Sequence, residues 1–432
     1  MPGNHKQNMK KDIAVIILAA GKSTRMKSGM PKVLHNLCGR PMLGYVLDLV
    51  SSLKLKQVVA VLGYKQALVR KIIPKGIKIA IQRKLIGTAD AVKVGLSALK
   101  GFKGTVLVLY GDNPLLKKDT LKKVLDYHTG NNVDATLLTA QLKKPAGYGR
   151  IMRDKNYSIC GIVEEKDADE VQKDIKEVNT GIMCFKKESL ANNLKYIRRN
   201  NRKKEYYLTD IIGILAKKGY LVDAVKAEDP REALGINARA ELAKADSIMR
   251  QRINHKFMRG GVTIMDPAST FIDFTAKIGM DTVIYPFTVI ETDVKIGKRC
   301  SVGPFAHLRE AVELADDVIV GNFIEMVRAK IGAKTFIKHF SYIGDSSVGS
   351  CVNIGAGTVT ANFDGKNKNY TVIKDSVNIG SDTVMVAPVK IGKFAITGAG
   401  SVVSRNVPDK AVVVGVPARI LRKKPACRQA GG

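Results

Sequence analysis

IGMDTVIYPFTVIETDVKIGKRCSVGPFAHLREAVELADDVIVGNFIEM, residues 278–326, carries an aliphatic side chain at every sixth position: Ile278, Ile284, Ile290, Ile296, Val302, Leu308, Leu314, Val320 and Met326. An α-helix repeats every 3.6 residues and a strand every two, so neither accounts for a period of six. A hexapeptide repeat with one inward aliphatic residue per step marks a parallel β-helix. Each hexapeptide builds one flat side, and three sides close a triangular coil. The phase slips by one residue at Ile331, then resumes through Ile337 and Ile343. It is lost over 362–370 and returns at Ile373, Ile379, Met385 and Ile391. The interruption reads as a loop ejected from the coil. The pattern predicts a β-helix over 260–421.

N-terminal to it the period changes. Ile13–Leu18, Val58–Leu62, Ile77–Ile81 and Val106–Leu109 read as buried strands, and Pro41–Leu53, Thr88–Leu99 and Lys117–His128 as helices between them. Apolar strands alternating with helices predict a mostly parallel, doubly wound α/β sheet, here over 12–237. Ala238–Met258 reads as a helix charged on one side, and 238–259 is expected to link the two domains. Residues 1–11 and 422–432 read as flexible tails, with Met9 a candidate natural start.

Composition narrows the class. A chain of 432 residues, 45% hydrophobic and 25% charged, is long enough for two or three domains with their own cores. The longest apolar run, Ile13 to Ala20, is strand-length and too short to cross a membrane. It follows Lys10-Lys11 as in a signal peptide, but leads into Gly21-Lys22-Ser23-Thr24-Arg25 rather than a mature polar start. The cysteines at 38, 160, 184, 300, 351 and 427 form no CxxC pair. That argues against zinc or a disulfide frame and for a reducing cytoplasm. A net charge of +32 would suit a polyanion. The lysines are spread along the whole chain with no nucleic-acid-binding motif to organise them, so nucleic acid is not expected as a partner. The charge reads instead as the mark of a lysine-rich proteome, together with a positive field that draws in phosphate-bearing substrates.

Leu18-Ala19-Ala20-Gly21-Lys22-Ser23-Thr24-Arg25-Met26 follows the first strand directly. It is not a P-loop, which needs a glycine five residues before Gly21, where this chain has Ile16. Its small residues let backbone N–H groups approach a base and phosphates, with Arg25 and Lys32 supplying charge. Ligands of open α/β sheets bind beyond the carboxyl ends of the strands. Three loops meet that criterion: 19–32, Gln82 to Thr88, and Tyr110-Gly111-Asp112. Asp112 there is a natural Mg²⁺ ligand, or else a turn aspartate capping the next helix. In the β-helix, Arg309, Glu325, His339, Tyr342, Asn353 and Lys368 interrupt the aliphatic pattern. A lone histidine in such a wall is more often structural than catalytic, but His339 opens a longer block. His339-Phe340-Ser341-Tyr342 precedes Asn353-Ile354-Gly355-Ala356-Gly357 and Asn362-Phe363-Asp364-Gly365.

LAAGKSTRM, PKVL, the Gly87-Thr88 turn and YGD resemble the sugar-1-phosphate nucleotidyltransferases. Further blocks sharpen this: Gly147-Tyr148-Gly149-Arg150-Ile151, Gly161-Ile162-Val163-Glu164, Asn179-Thr180-Gly181, Glu205-Tyr206-Tyr207-Leu208-Thr209-Asp210 and Gly235-Ile236-Asn237. In this order, with the β-helix blocks, they resemble the bacterial bifunctional N-acetylglucosamine-1-phosphate uridyltransferase/glucosamine-1-phosphate acetyltransferase family over about 12–418. The resemblance implies a Rossmann-like nucleotidyltransferase domain followed by a left-handed parallel β-helix, a homotrimer and a cytoplasmic enzyme. It implies UTP, N-acetylglucosamine-1-phosphate, glucosamine-1-phosphate and acetyl-CoA as substrates, with Mg²⁺. Leu18, Ala19, Ala20, Gly21, Gln82, Gly87, Thr88, Tyr110 and Gly111 would hold the nucleotide, and Gly149, Glu164 and Asn179 the acetamido sugar. Asp112 and Asn237 would bind Mg²⁺, with Arg25 and Lys32 catalytic. His339 would be the general base, oriented by Glu325. Arg309, Tyr342, Asn353 and Lys368 would hold the sugar phosphate; Ala356, Asn362, Phe363, Ser381 and Ala399 would line the acetyl-CoA site.

The chain departs from the family pattern in three places. A lysine contacting the sugar phosphate is replaced by Val327, a lost charge-assisted contact worth about 1.5–3 kcal/mol. Arg328 is adjacent, but along a strand it is expected to point to the opposite face. The stretch between Asp266-Pro267 and Gly303-Pro304-Phe305 is shorter than usual, and Gly415-Val416-Pro417 lacks an arginine that some members place there. Two other readings stay open: a nucleotidyltransferase alone, using UTP or dTTP with the β-helix as a trimerisation scaffold, and a non-catalytic regulatory protein.

Overall fold

The structure, a computed structural model, describes residues 12–423 apart from Ser23 and Lys56. The expected N-terminal tail, Ser23 of the first loop and Cys427 lie outside the described residues. The chain divides into two compact units, one ending at Ala245 and the other beginning at Asp246, a division that falls inside the helix Arg239–Arg259. No helix among the described residues is long and apolar enough to cross a membrane.

The first unit is built on a mixed sheet. Its strands are β1 (Ile13–Ala19), β2 (Gln57–Leu62), β3 (Lys78–Ile81), β4 (Thr105–Tyr110), β5 (Ala135–Gln141), β6 (Arg150–Arg153), β7 (Ile159–Val163), β8 (Glu177–Lys186) and β9 (Val222–Lys226). The order is β9-β5-β8-β4-β1-β2-β3, with β6 and β7 as a hairpin on β8. β1 runs parallel to β2 and β4, as the sequence predicts, whereas β8 is antiparallel to both β4 and β5.

Every residue of β1 is buried, and successive residues feed two different cores. Ile13, Val15 and Ile17 pack with Val46, Leu47 and Val50 of α1 (Met42–Ser52) and Leu121 and Val124 of α3 (Lys118–Gly130). Ala14, Ile16 and Leu18 pack with Ala91 and Val92 of α2 (Thr88–Ser97) and with Ile211, Ile212 and Leu215 of α4 (Asp210–Lys217). Helices on both faces are why β1 is apolar throughout rather than alternating. Each large aliphatic side chain so covered stabilises the unit by about 1.5–3 kcal/mol. Gly95 sets how closely α2 approaches, since a Cβ there would lie 2.7 Å from Ile16 Cγ2. One expectation fails at the rim: the strand read as buried over Ile77–Ile81 is the edge strand β3, exposed at Lys78 and only half-buried beyond it. It has a single neighbour, so one flank stays open.

In the second unit, short parallel strands pair coil upon coil, with Ile284 beside Val302 and Val302 beside Val320. The spacing between stacked positions is 18 residues, as between Lys295 and Glu313. It drops to 17 between Arg328 and Asp345, the phase slip, and rises to 25 between Ser350 and Asp375, across the ejected loop. The sixth-position aliphatics are buried from Ile284 onward; Ile278, near the start of the coil, is only partly covered. The corners also repeat. Asp281, Phe287, Asp293, Arg299, Phe305, Ala311, Asp317 and Phe323 all have positive φ, and the next such residue, Arg328, comes only five further on. Phe287, Phe305 and Phe323 stack along one corner, with ring centroids 4.9 and 5.1 Å apart, and stay exposed. At the far end, Arg422 and Lys423 do not fray as expected. They belong to a strand, Arg419–Lys423, antiparallel to Ala411–Val414, which covers the last coil.

Candidate active sites

In the first unit the three predicted loops leave the carboxyl ends of β1, β3 and β4. The strand ends are laced together: Gly111 N–H donates to the Leu18 carbonyl and Tyr64 N–H to the Ala20 carbonyl, both at 2.9 Å. Leu18, Ala19 and Ala20 are buried, and Gly21 is exposed at the mouth. Gln82 is buried, and its Nε2 donates to the Gly87 carbonyl at 3.0 Å and to Asp90 Oδ2 at 2.9 Å. It therefore braces the Gly87 turn. Gly87 has φ 133°, and a Cβ there would collide with the Tyr206 backbone, so the turn requires glycine. Thr88 Oγ1 accepts from Leu208 N–H at 2.9 Å, pinning the start of α2. Arg25 lies exposed on a single 3₁₀ turn anchored by buried Met26.

Lys32, Asp112 and Asn237 meet at one point. The Lys32 ammonium donates to the Asp112 carboxylate and, at 2.9 Å, to Asn237 Oδ1. Both oxygens are positioned from behind. The Asp112 carbonyl accepts from Ile236 N–H at 3.2 Å, and Glu241 accepts from the N–H groups of Asn237 and Ala238. A carboxylate and an amide oxygen converging on a cation suit Mg²⁺, which uses one or two protein ligands and takes the rest from phosphates and water. Among the described residues no group of three or more His, Cys, Asp and Glu could hold a metal.

The predicted sugar residues lie next to the same loops. Asn179 N–H donates to the Gly149 carbonyl at 2.9 Å, and a Cβ on Gly149 would lie 3.6 Å from Glu164 Oε2. Glu164 Oε1 accepts from Thr209 Oγ1 at 3.0 Å. Burial pushes the Glu164 carboxyl up, with the Thr209 hydrogen bond and Lys203 opposing. The Tyr110 hydroxyl is raised by its own burial, then by the Glu164 charge, and further by Asp112. Asp210, beside them, is pushed up to about 6 by burial and by the charges of Glu164 and Asp167.

The second unit lays its residues along a wall. Arg309 Nη1 donates to Glu325 Oε1 at 3.0 Å. The expected orientation of His339 by Glu325 is therefore not what this chain makes by itself. Glu325 is in register with Tyr342, three residues past His339, and its carboxylate is taken by Arg309. His339 is exposed, and among the described residues its ring makes no hydrogen bond. Tyr342 Oη is 3.4 Å from Asn362 Nδ2, which also donates to Asp345. Asn353 Nδ2 donates to Asn378 on the next coil at 3.0 Å. Phe363 and Lys368 are exposed and bridge the ejected loop to itself. Ala356, Ser381 and Ala399 stack at one edge: Asp382 N–H donates to the Ala356 carbonyl at 2.6 Å and Gly400 N–H to Ser381 at 2.8 Å.

Val327 is 1% exposed, packed into the wall. Arg328 does not follow strand alternation, because it is a corner residue with φ 47°. Its guanidinium makes paired hydrogen bonds of 2.6 and 2.8 Å to Asp345 and a third, of 3.0 Å, to Glu310. Neutralised by two carboxylates, it does not replace the missing lysine.

Reading the sequence missed Glu241, Asp345, Glu310 and Thr209. Glu241 had a signal, a glutamate three residues past the residue that opens a helix, where its carboxylate reaches back to free N–H groups. Asp345 had none, because its partners come from neighbouring coils.

Residues 15–171 match the MobA-like NTP transferase domain, and residues 275–310 match the bacterial transferase hexapeptide of six repeats. The bifunctional protein GlmU of Thermosipho africanus is 44% identical, over 96% of this chain and 98% of its own length. Proteins of the same name from Pelotomaculum thermopropionicum, 44% identical over 88% of this chain and 90% of theirs, and from Lactococcus lactis subsp. lactis, 43% over 93% and 94%, are similar along both units.

Proposed function

The chain belongs to the family of the bifunctional protein GlmU, and from that premise we propose that each unit catalyses one transfer. The first moves UMP from UTP to N-acetylglucosamine-1-phosphate, giving UDP-N-acetylglucosamine and pyrophosphate. The second moves the acetyl group of acetyl-CoA to glucosamine-1-phosphate, giving N-acetylglucosamine-1-phosphate and CoA. The observation that carries the reading is the convergence of Lys32, Asp112 and Asn237 beyond the strand ends.

In the first unit a phosphate oxygen of the sugar phosphate attacks the α-phosphorus of UTP in line, and pyrophosphate departs. The protein's part is to position and to neutralise charge. Mg²⁺ held by Asp112 and Asn237 would supply charge neutralisation and a template for the in-line geometry. Lys32 and Arg25 add two cations. The Ala19–Gly21 backbone, Gln82, the Gly87-Thr88 turn and Tyr110-Gly111 shape the nucleotide pocket, while Gly149, Glu164 and Asn179 receive the acetamido sugar.

In the second unit the 2-amino nitrogen of glucosamine-1-phosphate attacks the thioester carbonyl. His339, whose ring is free of side-chain partners, takes the proton released from nitrogen, and CoA leaves as the thiolate. Arg309, Tyr342, Asn353 and Lys368 hold the sugar phosphate, with Glu325 positioning Arg309. Ala356, Asn362, Phe363, Ser381 and Ala399 line the acetyl-CoA site. A second and third copy of the chain complete this site. Two features support a trimer: the exposed phenylalanine stack, apolar surface that a monomer would leave in water, and the 362–370 loop, which carries exposed Phe363 and Tyr370 on either side of a polar tip. The cytoplasm, where UTP and acetyl-CoA are at hand, is the place of work.

A product assay tests the reading: UTP with N-acetylglucosamine-1-phosphate, then acetyl-CoA with glucosamine-1-phosphate. Both products are expected. Failure of the first pair overturns the nucleotidyltransferase reading; failure of the second alone reduces the β-helix to a scaffold.

A further inference from the structure

We propose that Lys32 is a resident cation that occupies the divalent-metal position of the nucleotide site, so that metal ion and lysine compete for the same two oxygens. The inference rests on the assignment of Asp112 and Asn237 as metal ligands and goes beyond it, to what fills the site before metal arrives.

A single ammonium touches both candidate ligands. The Lys32 and Asp112 side chains are 11% and 14% exposed, so water covers little of either charge. A carboxylate in that position without a cation would be costly, and the lysine removes the cost. The pocket does not depend on the lysine for its shape. Asp112 is held through its backbone carbonyl by Ile236, and Asn237 through its N–H by Glu241. A metal ion can therefore take the lysine's place without rebuilding the site. The other basic residues of this loop, Lys22, Arg25 and Lys27, are exposed and have no carboxylate partner among the described residues, so they cannot play the same part.

Two consequences follow from competition. The nucleotide-free protein binds divalent metal weakly, because each ion must first displace a charge-assisted hydrogen bond. Phosphates arriving with the metal give the displaced ammonium a new partner, so metal and nucleotide favour each other's binding, by the same factor in both directions. Lys32 then acts twice, as counter-ion to the empty ligands and as cation to the phosphates.

Mn²⁺ binding to the full-length protein without nucleotide tests this, read from the electron paramagnetic resonance signal of free Mn²⁺. Lys32→Met should bind Mn²⁺ roughly tenfold to a hundredfold more tightly than wild type, the worth of one charge-assisted hydrogen bond. Lys32→Gln should do the same while keeping a polar side chain, and thermal melting confirms that each variant is folded. Asp112→Asn should lose the binding. If both Lys32 variants bind Mn²⁺ no more tightly than wild type while Asp112→Asn abolishes binding, the competition is wrong and the metal assignment stands. If Asp112→Asn binds like wild type, the metal assignment fails and the inference falls with it.

Discussion

The two units gather their candidate residues in opposite ways. In the first, Lys32, Asp112 and Asn237 come from 80 and 205 residues apart and meet within hydrogen-bonding distance. In the second, Arg309, Glu325, His339, Tyr342 and Asn353 come from successive coils and stay strung along a wall. A doubly wound sheet returns its loops to one edge, so distant segments of one chain finish a pocket. A solenoid keeps sequence neighbours as spatial neighbours and so presents a strip. A strip becomes a pocket when something else covers it: an ejected loop, or another copy.

The largest expected effect probes the separateness of the two sites. Asp112→Ala should lower uridylyl transfer by roughly a hundredfold to a thousandfold, the scale of losing one preorganised charge-stabilising group, and leave acetyl transfer intact. His339→Ala should do the reverse. Pyrophosphate release and CoA release, measured on the same preparations, read each arm; a variant that lowered both would break the comparison. Dilution sharpens it next. If the strip is closed by other copies, acetyl transfer per chain should fall several-fold once light scattering shows dissociation, with uridylyl transfer unchanged. Equal loss of both would place the first site between chains too.

Val327→Lys follows. A lysine there would set an unpaired charge inside the wall, at a cost on the order of 3 kcal/mol. The expected outcome is a lower melting temperature with no fall in KM for glucosamine-1-phosphate. A lower KM at unchanged stability would show that the wall opens for a long side chain. The smallest effect lies in the first unit. Asp210 has its folded-state pKa raised to about 6, so its contribution favours folding below its unfolded pKa, near 4, and is lost as pH rises through 6. Asp210→Asn should remove that loss. Relative to wild type, its stability should gain about 1 kcal/mol between pH 4 and 7, the linkage value reduced for a side chain half in water. Thermal melts at the two pH values read it; a parallel pH dependence in both proteins would sink the assignment.

Period carried most of the fold in the sequence. A hexapeptide repeat names its plugs residue by residue, and the structure buries Ile284 through Met326 in that order. The phase slip at Ile331 and the loss of rhythm over 362–370 are both real breaks in register. The antiparallel strand β8 was not legible, because apolar strands read alike whichever way they run. Strand alternation misplaced Arg328, because a corner with positive φ turns the side chain off the pleat. In the site, the Asp112 and Asn237 blocks stood out as short motifs. Their shared bond to Lys32 did not, since nothing local links residues so far apart.

The ejected loop leaves the coil after Ala361, and the chain is back in register by Thr371, with Ala361 paired to Val386 and Thr371 to Ser346. The coils above and below keep their pairing as though the intervening residues were absent. Such a fold separates frame from fitting. Length can be added or removed at a corner without renegotiating a single plug, provided the strand returns in phase. The 362–370 segment can therefore change in length and sequence while the wall that carries it stays fixed.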